Sequence, residues 1–81
     1  MRLPQDIGAN DLIKALSKLG YQITRQTGSH IRLTTINKGQ HHISIPNHNP
    51  VKIGTLSSIL SDVAEHFDTN KEEIIRILFK S

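Results

Sequence analysis

The chain contains no cysteine and no tryptophan. The first absence excludes disulfides, thiolate metal sites and a cysteine nucleophile, and it suits a reducing cytoplasm. With only two Phe and one Tyr, and a hydrophobic content of 36%, any core must be built chiefly from Ile and Leu. No apolar run approaches the ~20 residues of a membrane helix. The opening Met1-Arg2-Leu3-Pro4-Gln5-Asp6 leads into no apolar signal segment, so the sequence reads as soluble and unexported. A further absence is of one charge sign: between Asp11 and Asp62 there is no acidic residue. Lys14, Lys18, Arg25, Arg32, Lys38 and Lys52 fall in that span with His30, His41, His42 and His48, while five of the seven acids follow residue 61. Six fixed positive charges without local counter-charge favour a polyanion, most often nucleic acid, although an ordinary solvated basic face has the same composition.

At 81 residues the chain reads as one domain, residues 1–81, with a single modest core. The patterning predicts a helix, three strands and two more helices. Asn10 is placed to cap a helix carrying Leu12, Ile13, Leu16 and Leu19, with Gly20 as its stop. Tyr21 to Gln26 reads as a strand. Thr27-Gly28 turns the chain into Ser29 to Ile36, and Asn37-Lys38-Gly39-Gln40 turns it again into His41 to Pro46. After Gly54-Thr55, the stripe Leu56, Ile59, Leu60, Val63, Ala64 and Phe67 has helical spacing. Thr69-Asn70-Lys71-Glu72 matches a capping box opening a last helix with Ile74, Ile75 and Leu78.

The expected class is therefore α+β, ordered α-β-β-β-α with an extra C-terminal helix, which resembles a double-stranded-RNA-binding fold. With helices on one face of an antiparallel sheet, the other face is left open. Alternation sends Ile31 and Leu33 inward and His30 and Arg32 outward, where His42 and Ser44 of the next strand join them.

The basic span offers no carboxylate to hold a hard cation, so a two-metal nuclease mechanism is disfavoured. RNA carries a 2′-hydroxyl beside each phosphate, and a histidine base can promote its internal attack without a metal. His30 suits that task, because an ordinary imidazole titrates near ~6.5. Arg32, on the same face, is placed to stabilise charge on the phosphorane oxygens. His41 and His42 are adjacent on a strand and point to opposite faces, which argues against a shared zinc.

Four blocks carry a more specific resemblance: Leu12-Ile13-Lys14-Ala15-Leu16-Ser17-Lys18-Leu19-Gly20-Tyr21, Gly28-Ser29-His30, His41-His42-Ile43-Ser44-Ile45-Pro46 and Lys52-Ile53-Gly54-Thr55-Leu56-Ser57-Ser58-Ile59-Leu60. In this order and spacing, over residues 3–65, the sequence resembles the HicA family of bacterial toxins. The resemblance implies an RNA-cleaving toxin (an mRNA interferase) with a double-stranded-RNA-binding-like fold, no cofactor and a HicB-type antitoxin partner. The family's catalytic histidine, in its Gly-Ser-His block, carries over to His30. Residues 66–81 match less clearly and receive no catalytic role.

Around His30 the other assignments have alternatives. Gly28 suits a positive φ in the turn or close approach to phosphate, and Ser29 suits the turn backbone or RNA. Lys14 and Lys18, four apart on the first helix, are either a solvated face or a phosphate track. His42 is a second proton-transfer group or an RNA contact. Gly54-Thr55 opens a helix whose amides suit either a phosphate or a cap. A non-catalytic RNA-binding module with the same fold remains the main functional alternative.

Overall fold

The computed structural model describes residues 6–79. The opening stretch, residues 1–5, read above as lacking an export signal, lies outside them. The element order is the expected one: helix α1 (Ala9–Leu16), strands β1 (Gln22–Thr27), β2 (His30–Thr35) and β3 (His41–Pro46), then helices α2 (Ile53–His66) and α3 (Lys71–Phe79). The strands form one antiparallel sheet in the order β1-β2-β3. This is the expected α+β arrangement, α-β-β-β-α with an added C-terminal helix.

Alternation decides which face of the sheet the helices cover. Ile31 and Leu33 of β2 and Ile43 and Ile45 of β3 are buried, against Leu12 and Leu16 of α1, Leu56, Leu60 and Val63 of α2 and Ile74, Ile75 and Leu78 of α3. The opposite residues of β2, His30 and Arg32, are exposed. Strand β1 lies at one edge and is exposed along its whole length, including Ile23.

Several boundaries differ from those the sequence suggests, each for a local reason. The first helix begins at Ala9, so Asn10 lies inside it and Gly8 takes the cap position without a side-chain bond. The missing acceptor comes from a distant loop: Asn49 Oδ1 accepts the Ala9 N–H at 3.1 Å. A side chain at position 8 would collide with Asn49, which accounts for the glycine. Because this bond serves as the helix cap, Asn49→Ala is expected to lower stability by ~0.5–2 kcal/mol, measured as a shift in urea midpoint.

Gly20 ends the first helical segment as expected, after a 3₁₀ turn over Ser17–Leu19, with φ of 87°. The first hairpin turn is Gly28-Ser29, one residue later than Thr27-Gly28, and Thr27 pairs with His30 across it. Gly28 has φ of 53° and Ser29 is not left-handed, the pattern of a two-residue turn with glycine first. Helix α2 starts at Ile53, before Gly54-Thr55. It ends with Asp68 in the left-handed region, while the Thr69 amide donates to the Ala64 carbonyl and the Asp68 amide to that of Glu65. Thr69 is thereby occupied in closing α2, and the cap of α3 passes to Asn70, whose Oδ1 accepts the Glu73 N–H at 2.8 Å.

Candidate active site

One feature of β1 determines what the open face presents. Gln22 pairs with Thr34 and Ile23 with Leu33, but Arg25 pairs with Arg32, so Thr24 is an extra residue. In a regular strand, Arg25 would share the inward face of Ile23. The bulge reverses the parity and brings Arg25 and Thr27 to the face of His30 and Arg32.

The face is then ordered in rows across the three strands. The first row is Thr27, His30 and Pro46; the second is Arg25, Arg32 and Ser44; the third contains Gln22, Thr34 and His42. Arg25, Thr27, His30, Arg32, His42, Ile43 and Ser44 line an open cavity of about 320 Å³. Two arginines directly opposite each other repel. Neither is in an ion pair among the described residues, and the cavity lining contains no acid. Such a pair is compensated when an anion lies between them, and guanidinium groups match the two-oxygen edge of a phosphate.

His42 is held by a hydrogen-bond relay across the sheet. Its Nδ1 lies 2.7 Å from Thr34 Oγ1, which lies 2.9 Å from Thr24 Oγ1, and Thr24 donates to the Arg32 carbonyl at 3.5 Å. The bulged residue thus reaches the far strand through two hydroxyls. At the other end of the cavity, the Ser29 carbonyl accepts the Asn47 N–H at 2.6 Å, tying the hairpin turn to the end of β3 beside His30.

The structure brings together four of the residues that the sequence places on the open face, His30, Arg32, His42 and Ser44. Gly28 and Ser29 adjoin them in the turn but do not line the cavity. Lys14 and Lys18 belong to the helix layer. The Lys18 ammonium donates to the Leu78 carbonyl at 3.0 Å, at the end of α3, so it serves packing between helical segments. Arg25, counted in the sequence only among the charges of the basic span, joins the site through the bulge, since plain alternation from Ile23 would send it inward.

His41 points the other way, into a cluster between the sheet and α2. Its Nδ1 is 2.7 Å from the Tyr21 hydroxyl, its Nε2 is 3.4 Å from Asp62 Oδ1, and its ring stacks on His66 at 4.4 Å. His66 Nε2 donates to the Asn37 carbonyl at 2.8 Å. Tyr21 is 1% exposed. Burial, and secondarily the Asp62 carboxylate, push its phenol above the ordinary 10.0. A raised acid pKa means the folded state resists ionisation that the unfolded chain undergoes. This contribution is fully present below pH ~10 and is lost as pH rises above it. Urea midpoints should therefore fall between pH 9 and pH 11, and Tyr21→Phe should flatten that fall.

A family model described as HicA toxin of bacterial toxin-antitoxin matches residues 9–64. No curated protein and no solved structure matches the chain.

Proposed function

Because the chain belongs to the HicA toxin family of bacterial toxin–antitoxin systems, we propose that it is an mRNA interferase that cuts RNA on the open sheet face without a metal. The observation that carries the reading is the cavity that joins His30 to the opposed Arg25 and Arg32. In this reading His30 removes the proton from a 2′-hydroxyl, and the oxygen so activated attacks the neighbouring phosphorus. The two guanidinium groups stabilise the charge that grows on the phosphorane oxygens. DNA lacks the attacking group and is not a substrate. The lining supplies no carboxylate of the kind that holds hard cations, which supports chemistry carried by imidazole and guanidinium alone.

The basic face is also the surface that a cognate antitoxin of the HicB type would cover, in the bacterial cytoplasm where mRNA is translated. Acidic or apolar groups of that partner would occupy the cavity in place of phosphate.

The test uses the purified chain with single-stranded RNA and the matching DNA in EDTA. Cleavage of RNA alone, leaving a 2′,3′-cyclic phosphate, supports the reading. A folded chain that binds RNA without cutting it supports the non-catalytic binding module instead. In either case, the arginine pair should govern the salt response. Arg25→Gln is expected to reduce the slope of log K against log salt by ~0.7, the share of one phosphate contact on a single strand, measured by fluorescence anisotropy.

A further inference from the structure

Resting on the reading of His30 as the general base, we propose that His42 is the general acid of the same reaction, with the scissile phosphate held by the Arg25–Arg32–Ser44 row between them. Attack on phosphorus by the 2′-oxygen expels the 5′-oxygen from the opposite side. The group that takes the first proton and the group that supplies the second therefore belong on opposite sides of the phosphate. The sheet provides this arrangement. His30 lies one row to one side of the arginine pair, and His42 one row to the other. At ~3.3 Å per strand residue, each row is ~7 Å from the middle one. Both imidazoles line the same cavity, and of its lining residues only these two ordinarily change charge near neutrality.

The relay behind His42 assigns its two nitrogens. In this proposal Thr24 donates to the Arg32 carbonyl, Thr34 donates to Thr24, and the Thr34 oxygen accepts from His42 Nδ1–H, the one direction in which all three contacts are made. That bond is made whether the ring is neutral or charged, and it leaves Nε2 as the nitrogen that gains and gives up a proton. Thr34 and Thr24 are positioning residues in this scheme. The charged groups around the ring are Arg25 on β1 and Arg32 on β2, across the cavity from it. Asp62 and Glu65 of α2 line the neighbouring groove that shares Ile43 and Ser44.

The step is balanced within the chain and its substrate. The 2′-hydroxyl proton passes to His30, the bond from the 2′-oxygen to phosphorus forms, the bond from phosphorus to the 5′-oxygen breaks, and the His42 Nε2 proton passes to the departing oxygen. The products are a 2′,3′-cyclic phosphate and a 5′-hydroxyl. His42 and His30 then exchange their protons with solvent before the next turnover.

The experiment compares a short RNA with one cleavable linkage and the same RNA carrying sulfur in place of the bridging 5′-oxygen. A thiolate leaves without protonation, so the sulfur substrate bypasses a general acid but not a general base. His42→Ala is expected to cut the oxygen substrate ~10²–10⁴-fold more slowly and the sulfur substrate at close to the wild-type rate. His30→Ala should be slow on both. Thr34→Val should slow the oxygen substrate by about tenfold and leave the sulfur substrate unchanged, a split that a purely structural role would not produce. Circular dichroism and urea midpoints establish that each variant is folded. Equal slowing of His42→Ala on both substrates, or full activity on the oxygen substrate, overturns the assignment while the ribonuclease reading stands. A wild-type chain that cuts neither substrate overturns both.

Discussion

His30→Ala is expected to lower RNA cleavage by ~10²–10⁴-fold while leaving the urea midpoint where it is. The two halves of that result come from the same alternation. His30 lies on the open face of β2, so removing its ring opens no cavity in the core, and substitutions of such exposed residues usually change stability by less than ~0.5 kcal/mol. Its ring lines the cavity beside the arginine row, so losing it removes the proposed proton acceptor while leaving the arginine pair in place. Binding measured with a DNA of the same sequence, which lacks the attacking hydroxyl, should be almost unchanged. In cells, expression of the variant should no longer arrest growth, at a protein level equal to that of the wild type. A parallel loss of binding and midpoint would show that the ring supports the fold and would remove it from the chemistry.

Leu33→Ala, three positions along the same strand, is expected to act through stability, at a cost of ~2–5 kcal/mol. Leu33 is 0% exposed on the central strand, between Ile23 on one side and Ile43 on the other, facing the helices. Removing its isobutyl group leaves a void that three strands and the helix layer must partly collapse to fill. For 81 residues the ordinary range of folding free energy is ~4–12 kcal/mol, so the substitution consumes a large part of the total. Urea denaturation should show a lower midpoint with an unchanged slope. Ile23→Ala provides the contrast. Its side chain is 52% exposed at the sheet edge, and its loss should cost less than ~1 kcal/mol. Cleavage by the Leu33 variant should follow its folded fraction, whereas the His30 variant loses activity while folded.

The sequence carried the fold well because its main determinants are periodic. The stripe of α2 from Leu56 to Ala64 and the alternation of Ile31 with Leu33 and Ile43 with Ile45 set which face each element buries, and those residues form the core. Boundaries were less legible where a bond came from far along the chain. Asn49 supplies the acceptor at the start of α1 from 40 residues away, so a local search for a cap settles on Asn10. Likewise the turn closing α2 takes Thr69, which leaves Asn70 as the cap of α3. The candidate site was legible as far as strict alternation reaches: His30, Arg32 and His42 share a cavity. Arg25 was not, because alternation counted from Ile23 sends it inward, and nothing in Ile23-Thr24-Arg25 marks the inserted residue that reverses its face. The threonine relay was hidden for the same reason, since its members occupy three strands. Lys14 and Lys18 have the spacing of a phosphate track, but the sheet separates their helix from the open face.

The bulge at Thr24 also bears on how the chain behaves at high concentration. An edge strand exposed along its length, as β1 is, ordinarily offers its free amides and carbonyls to another copy. A bulge interrupts the even spacing that such pairing requires, and Arg25, turned outward by it, would meet the same charge on an approaching sheet of the same kind. The distortion that assembles the arginine pair therefore also keeps this edge from templating aggregation. A variant made regular by deleting Thr24 would keep Arg25 opposite Arg32 but, with the edge straightened, would lose its protection against self-association.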